Sequence, residues 1–320
     1  MDRRRAVGVA LVLVSACAFG SGALFAKPAY AAGVDWHVLS SWRFLFGAAL
    51  SWLWLLAWPA NRQGLRALDR RVVAVSLALG VLYVGNSGTY FAGLETVDAS
   101  LAALIVYVYP ALVAVLTLRF GQRLQGARAW AALGLALVGV ALAVGGIDAT
   151  AAPPIQGLLL IVASPVIYAI WIVLAARLSG ERAEADDGGR AGAAASAATA
   201  LMMTATATTY WLSAIAVGRE VWPGEVPAGA WFGLVGVGVV STFVAIQTFY
   251  AGAQRVGAAQ AALISTIEPV WTIGLAAILL GESLAPVQLV GGALILAGVV
   301  LAQTGPGALR PRPVVRLADE

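Results

Sequence analysis

A chain of 320 residues that is 61% hydrophobic and only 11% charged carries less than half the charge of a soluble domain, which is about 25%. No soluble fold could hide that much apolar surface, so the bilayer is the solvent. One cysteine, Cys17, and one histidine, His37, exclude an internal disulfide and a cysteine- or histidine-based metal centre; no cofactor is expected.

A spanning helix needs about 20 mostly apolar residues, and ten stretches fit: Ala6–Lys27, His37–Trp58, Val72–Phe91, Ser100–Leu118, Ala129–Gly145, Ile155–Ala176, Ala194–Val217, Ala228–Ala251, Ala258–Leu280 and Pro286–Gln303. The expected class is all-α integral membrane. Short loops marked by Gly, Pro and charge separate the stretches. The longest, Arg177–Ala193, is polar and expected to be mobile, as is the Pro- and Arg-rich tail 306–320. Arg3–Arg5 followed by an apolar run looks like a signal peptide, but the run outlasts the usual core and Lys27 interrupts it, so retention is expected.

The basic residues sort by side. With the N-terminus cytoplasmic, the inner segments hold Arg3–Arg5, Arg62, Arg66, Arg70, Arg71, Arg119, Arg123, Arg128, Arg177, Arg182, Arg190, Arg255 and the tail arginines. The outer segments keep Lys27 and Arg219 with Glu95, Asp98, Asp148, Glu220, Glu225 and Glu282. This positive-inside asymmetry predicts an even number of crossings with both termini cytoplasmic. It also explains the net charge of +4 without nucleic acid; the expected partners are the bilayer and a small-molecule substrate, with a homo-oligomer left open.

An internal repeat follows. Ala92-Gly93 matches Ala251-Gly252, Val97 matches Val256, Ala102–Ile105 matches Ala261–Ile264, and Pro110 falls on Pro269 at the same offset. Residues 1–147 and 148–305 are then two halves of five spans each. An odd number of spans places the halves in opposite orientations, the construction of many secondary transporters.

These residues resemble the EamA-type drug/metabolite transporters. Phe19-Gly20-Ser21 with Lys27 resembles the family's first-helix pattern, and Arg43-Phe44-Leu45 its second-helix R-F-L. Tyr109-Pro110 and Glu268-Pro269 resemble the paired prolines of the fourth and ninth helices, and Gly281-Glu282 the G-E that follows. Phe19 replaces the usual Trp, and Gln122 stands where the first half usually carries Glu. The resemblance implies ten helices, inverted five-helix repeats and solute movement, usually export.

The deepest polar group is Glu268, alone in the apolar run Ser265–Leu284 and followed at once by Pro269. A charge at the centre of a membrane helix costs roughly 2.5–3.5 kcal/mol on insertion scales, and the proline removes a backbone hydrogen bond and kinks the helix; Pro110 is expected to kink its own helix likewise. Helical spacing aligns further polar groups with this point. Tyr83, Asn86 and Tyr90 form one stripe, Ser164, Tyr168 and Trp171 another, and Gln247, Tyr250 and Gln254 a third. Ser265, Glu268 and Thr272 form the fourth, with Tyr107 and Trp271 near the same depth. They either converge on a midplane substrate site or hold helices together by interhelical hydrogen bonds. The mate of Glu268 is Tyr109, which favours a functional acid: it could bind an amine or take up a proton, the alternative being an ion pair with Arg43 or Lys27. Those two are read as a positive outer vestibule for substrate carboxylates, or as a helix-end lock and a snorkelling lysine.

Gly233, Gly236 and Gly238 are a seam for close helix approach, not a nucleotide loop, and no Walker sequence is present. The expected function is a secondary transporter of the inner membrane exporting small amphipathic metabolites, amino acids first, aromatic or bulky apolar ones among them. A multidrug or other metabolite permease is the second reading. An intramembrane lipid-handling enzyme is the third, and it lacks a catalytic constellation; no enzyme activity is expected.

Overall fold

Apolar runs become helices here, and the prolines and small residues decide where those helices break and touch. In the computed structural model, which describes residues 3–66, 68–118, 126–146, 152–178 and 190–304, every regular element is helical. The first half supplies α1 (Arg3–Gly20), α2 (Gly22–Ala31), α3 (Trp36–Ala57), α4 (Pro59–Arg66), α5 (Arg70–Leu94), α6 (Ala99–Val106), α7 (Tyr109–Leu118) and α8 (Gly126–Gly145). Then come α9 (Ile155–Leu178), α10 (Arg190–Ala216), a 3-10 turn (Ala228–Ala230), α11 (Trp231–Val235), a π-helical stretch (Gly236–Val244), α12 (Ala245–Val256), α13 (Ala258–Ile264), α14 (Ile267–Leu279) and α15 (Pro286–Gln303). Gln122, Asp148, most of the loop 177–193 and the tail 306–320 lie outside the described residues.

Among the described residues, eight helices are long and apolar enough to cross a membrane, so the chain is a multi-pass membrane protein. Two of the ten expected segments are helical but fall outside that set. The apolar part of α8 is the shorter Trp130–Val144. Helix α10 is 27 residues long but studded with threonines. Thr204 and Thr209 turn inward, donating to Ala200 O (2.7 Å) and Ala205 O (2.8 Å) of their own helix. Thr206 Oγ1 lies 2.7 Å from Gly80 O and so ties α10 to α5.

The two spans whose prolines align between the repeats are broken rather than bent. One parts at Tyr107–Val108, between α6 and α7; the other at Ser265–Thr266, between α13 and α14. Pro110 and Pro269 therefore fall in the first turn of α7 and of α14, where a missing N–H leaves no bond unmade. The breaks meet: Tyr107 donates its hydroxyl hydrogen to the carbonyl of Ser265.

Close helix contacts run along glycines. Helix α8 packs on α15, α1 on α12, α5 on α9, and α10 on both α3 and α5. A Cβ on Gly139 or on Gly291 would lie 2.5 Å from the other's carbonyl oxygen, so only glycine lets these backbones approach. Gly291→Ala is expected to destabilise the protein by about 1–3 kcal/mol, seen as a lower melting temperature in detergent. Gly134→Ala, on α8 with nothing within 4 Å of its Cβ position, is the control and leaves melting unchanged.

At the end opposite the start of α1, carboxylates cap helices. Asp35 Oδ1 accepts from Val38 N–H (2.9 Å) and Glu95 Oε1 from Trp36 N–H (2.6 Å), both at the start of α3. Glu282, on the loop after α14, accepts from Ala99 N–H (2.9 Å) and Ser100 N–H (2.8 Å), at the start of α6. Asp98 occupies the N-cap position of α6 but makes no cap bond. Burial first, and Glu282 second, push its carboxyl above the usual range, against the pull of Lys27. The folded state therefore favours protonated Asp98, and stability falls as pH rises from the ordinary carboxylate range through the raised value. Asp98→Asn is expected to flatten that part of the pH–stability curve, read by thermal unfolding between pH 4 and 8.

Candidate functional site

Two charges and a set of tyrosines share the interior. Arg43, on α3, is 8% exposed. Its Nε donates to Thr242 Oγ1 (2.8 Å), and its guanidinium carbon lies 4.8 Å and 4.6 Å from the ring centroids of Phe44 and Phe91. Thr242 sits in the π-helical stretch and donates in turn to Val237 O, five residues back (2.9 Å). The wider winding thus turns a hydroxyl lone pair toward the arginine, in keeping with the frequency of π segments at functional sites. Phe25 and Phe46 cover the glycine face beside it: Cβ atoms on Gly236 and Gly238 would come within 2.3 Å and 2.7 Å of them.

Glu268 lies in the first turn of α14 and is partly buried. Thr272 Oγ1 lies 3.0 Å from its carbonyl and 2.8 Å from that of Gly20, which fixes this turn against the end of α1. Trp271 Nε1 donates to Ser21 Oγ (3.0 Å) on the same seam. The Glu268 carboxylate is within electrostatic reach of Tyr83, Tyr90, Tyr107, Tyr109 and Tyr168. Arg43 is within reach of Tyr30, Tyr83, Tyr90 and Tyr210. Tyr83 and Tyr90 are therefore within reach of both charges. Among the described residues the only salt bridge is Arg219 with Asp35 (2.9 Å), so neither Arg43 nor Lys27 neutralises Glu268. The electrostatic partners of Lys27 are Glu282 and Asp98 at the capped end.

Tyr168, on α9, is the hub of the aromatic wall. Its ring lies 4.8 Å from Tyr109, 6.3 Å from Tyr83 and, stacked, 6.0 Å from Trp171. Trp171 Nε1 donates to Leu79 O (2.9 Å). Ser164 Oγ donates to Asn86 Oδ1 (3.0 Å), and both residues are buried. Those three therefore hold α5 to α9 as well as backing the wall. On α12, Gln247 is half-buried, while Tyr250 and Gln254 are exposed; Tyr250 still lies within electrostatic reach of Tyr168.

Four residues of this arrangement escaped the sequence stripes: Tyr109, Tyr30, Tyr210 and Phe44. Tyr109 carried a signal, being the repeat mate of Glu268. Tyr210 is fully buried on α10, its hydroxyl 2.6 Å from Ser87 Oγ, and stacks on Phe44 at 5.5 Å. Its helix position alone did not reveal that.

The sequence model of the EamA-like transporter family matches residues 6–145 and again residues 155–304. The chain belongs to the EamA-like transporter family. Within known proteins it is 27% identical over 287 residues, 87% of each chain, to YcbK of Bacillus subtilis (strain 168), described as an uncharacterized transporter. A solved crystal structure superposes with a TM-score of 0.60 at 21% identity, covering 92% of this chain and 96% of that one; this shows a shared fold.

Proposed function

We propose that this chain is a secondary transporter of the cytoplasmic membrane that exports zwitterionic amphipathic metabolites by alternating access, amino acids with aromatic or bulky apolar side chains foremost. The observation that supports the reading is that Tyr83 and Tyr90 lie within electrostatic reach of both Arg43 and Glu268. A carboxylate on the substrate meets the guanidinium, its ammonium meets Glu268, and its side chain lies on the Tyr168–Trp171 wall. Ten crossings in two oppositely inserted halves, with both termini cytoplasmic, complete the proposal. Paired contacts support the two-fold relation. Gly8 on α1 meets Gly252 on α12, and their repeat mates Gly157 on α9 and Gly93 on α5 meet in the same way. Alternating access then amounts to rocking of one half against the other about the paired breaks.

The test is a counterflow screen of radiolabelled amino acids in proteoliposomes, with and without a pH gradient. Exchange of aromatic amino acids supports the reading; no exchange of any zwitterion, with uptake of hydrophobic cations instead, overturns it. Within that assay, Tyr168→Phe is expected to behave as wild type. Tyr168→Ala weakens apparent affinity for aromatic substrates on the order of tenfold, the scale of one aromatic contact, and leaves small substrates unaffected.

A further inference from the structure

We propose that Thr242 is a positioning residue that selects carboxylate-bearing substrates by aiming the guanidinium of Arg43. This role rests on the reading of Arg43 as the partner of the substrate carboxylate, and it adds the group that orients it. Thr242 is fully buried, and its hydroxyl is used twice. The hydrogen goes to Val237 O (2.9 Å), so a lone pair is left to accept, and Arg43 Nε donates to it (2.8 Å). The rings of Phe44 and Phe91 lie 4.8 Å and 4.6 Å from the guanidinium carbon. With Nε tied and the rings against it, the fork meets a solute end-on, through its terminal amino groups. An arginine fork pairs with both oxygens of a carboxylate only when the two planes match. Holding that plane is what turns a buried charge into a reader of carboxylates.

The π winding sets Thr242 apart from the other threonines. Thr206 and Thr248 donate to the carbonyl four residues back, Met202 O (2.9 Å) and Val244 O (2.8 Å), as helical threonines do. Thr242 reaches five residues back instead. Two glycines then bring α3 to the distance its bond to Arg43 needs. A Cβ on Gly47 of α3 would lie 2.8 Å from Thr242 Cγ2, and one on Gly238 would lie 3.2 Å from Arg43 O. A parallel approach joins α5 to α10, where a Cβ on Gly80 would meet the carbonyl of Met202, yet α5 is α-helical throughout. One residue more lies between Gly238 and Ala251 than between Gly80 and Ala92, the alanines that the repeat aligns. The wider π turn takes up that residue. It does so on the side that meets the arginine, whereas α10 offers the uncharged Met202 at the parallel contact.

The probes are radiolabelled phenylalanine and phenethylamine, which share a ring and an amine and differ in the carboxylate. Counterflow of each is measured in proteoliposomes of wild type, Thr242→Val, Thr242→Ser, Arg43→Met and the double variant Arg43→Met/Thr242→Val. Valine keeps the volume and removes the acceptor. Thr242→Val is expected to weaken apparent affinity for phenylalanine about tenfold, the scale of one hydrogen bond to a charged group, with maximal exchange and phenethylamine unchanged. Thr242→Ser keeps wild-type selectivity. The double variant loses no more phenylalanine affinity than Arg43→Met alone, because the hydroxyl acts only through the guanidinium. A cooperative melt in detergent shows that each variant folds; should Thr242→Val misfold, Thr242→Ala carries the test. If Arg43→Met discriminates the probes as wild type does, the carboxylate reading falls and takes this role with it. If Arg43→Met loses phenylalanine alone while Thr242→Val loses both probes equally, loses neither, or adds its effect to that of Arg43→Met, only the role of Thr242 is overturned.

Discussion

Glu268→Gln is expected to leave the protein inserted and folded while removing nearly all transport. The amide has almost the same volume, and the contacts that seat this turn use the main chain: Glu268 N–H donates to Ser265 O (3.0 Å), and Thr272 lies against the Glu268 carbonyl. What disappears is the negative charge facing Tyr83, Tyr90, Tyr107, Tyr109 and Tyr168. Losing one partner of a desolvated charge pair costs about 2–5 kcal/mol, so flux of an ammonium-bearing substrate falls on the order of 30-fold or more. Whatever flux remains no longer responds to pH. Counterflow at several pH values checks this, and wild-type flux at all of them would remove Glu268 from the mechanism.

Arg43→Met separates binding from stability. The guanidinium is buried between two phenyl rings with one hydroxyl partner and, among the described residues, no carboxylate. A buried charge without a counter-charge is costly, and a hydrophobic replacement of similar length is often neutral or stabilising. The melting temperature of Arg43→Met is therefore expected to hold or rise. Transport of carboxylate-bearing substrates falls at least tenfold, and that of the corresponding amines is spared. A lower melting temperature together with loss of every substrate would make Arg43 a lock on the π-helical stretch through Thr242 and nothing more.

Much of this was legible in the sequence because the bilayer simplifies the code. Apolar runs had to become helices, and among the described residues eight of the helices are long and apolar enough to cross a membrane. The isolation of Glu268 in an apolar run and the two aligned prolines followed from order alone. What escaped was decided by contacts between helices, most of them across the halves. Nothing local in GVGVVSTFV at Gly236–Val244 announces π winding, which brings Thr242 to Arg43 on a helix almost two hundred residues away. The burial of Arg43 depends on Phe91 from α5, so a reading of α3 by itself left it open between vestibule and lock. Proline position predicted a kink, but the first-turn preference of proline moved the break upstream, and the partner of that break, Tyr107, comes from the other half. Asn86 and Ser164 were assigned to two separate stripes, and only side-chain positions reveal that they face each other.

The carboxylate of Glu282 has a mechanical consequence. The amide hydrogens at the start of α6 find their acceptors on the loop after α14, more than half the chain away. If these two ends separate, both hydrogens and the acid are stranded at once, and only solvent can satisfy them. That mouth cannot part dry: its opening and the arrival of water in it are a single event.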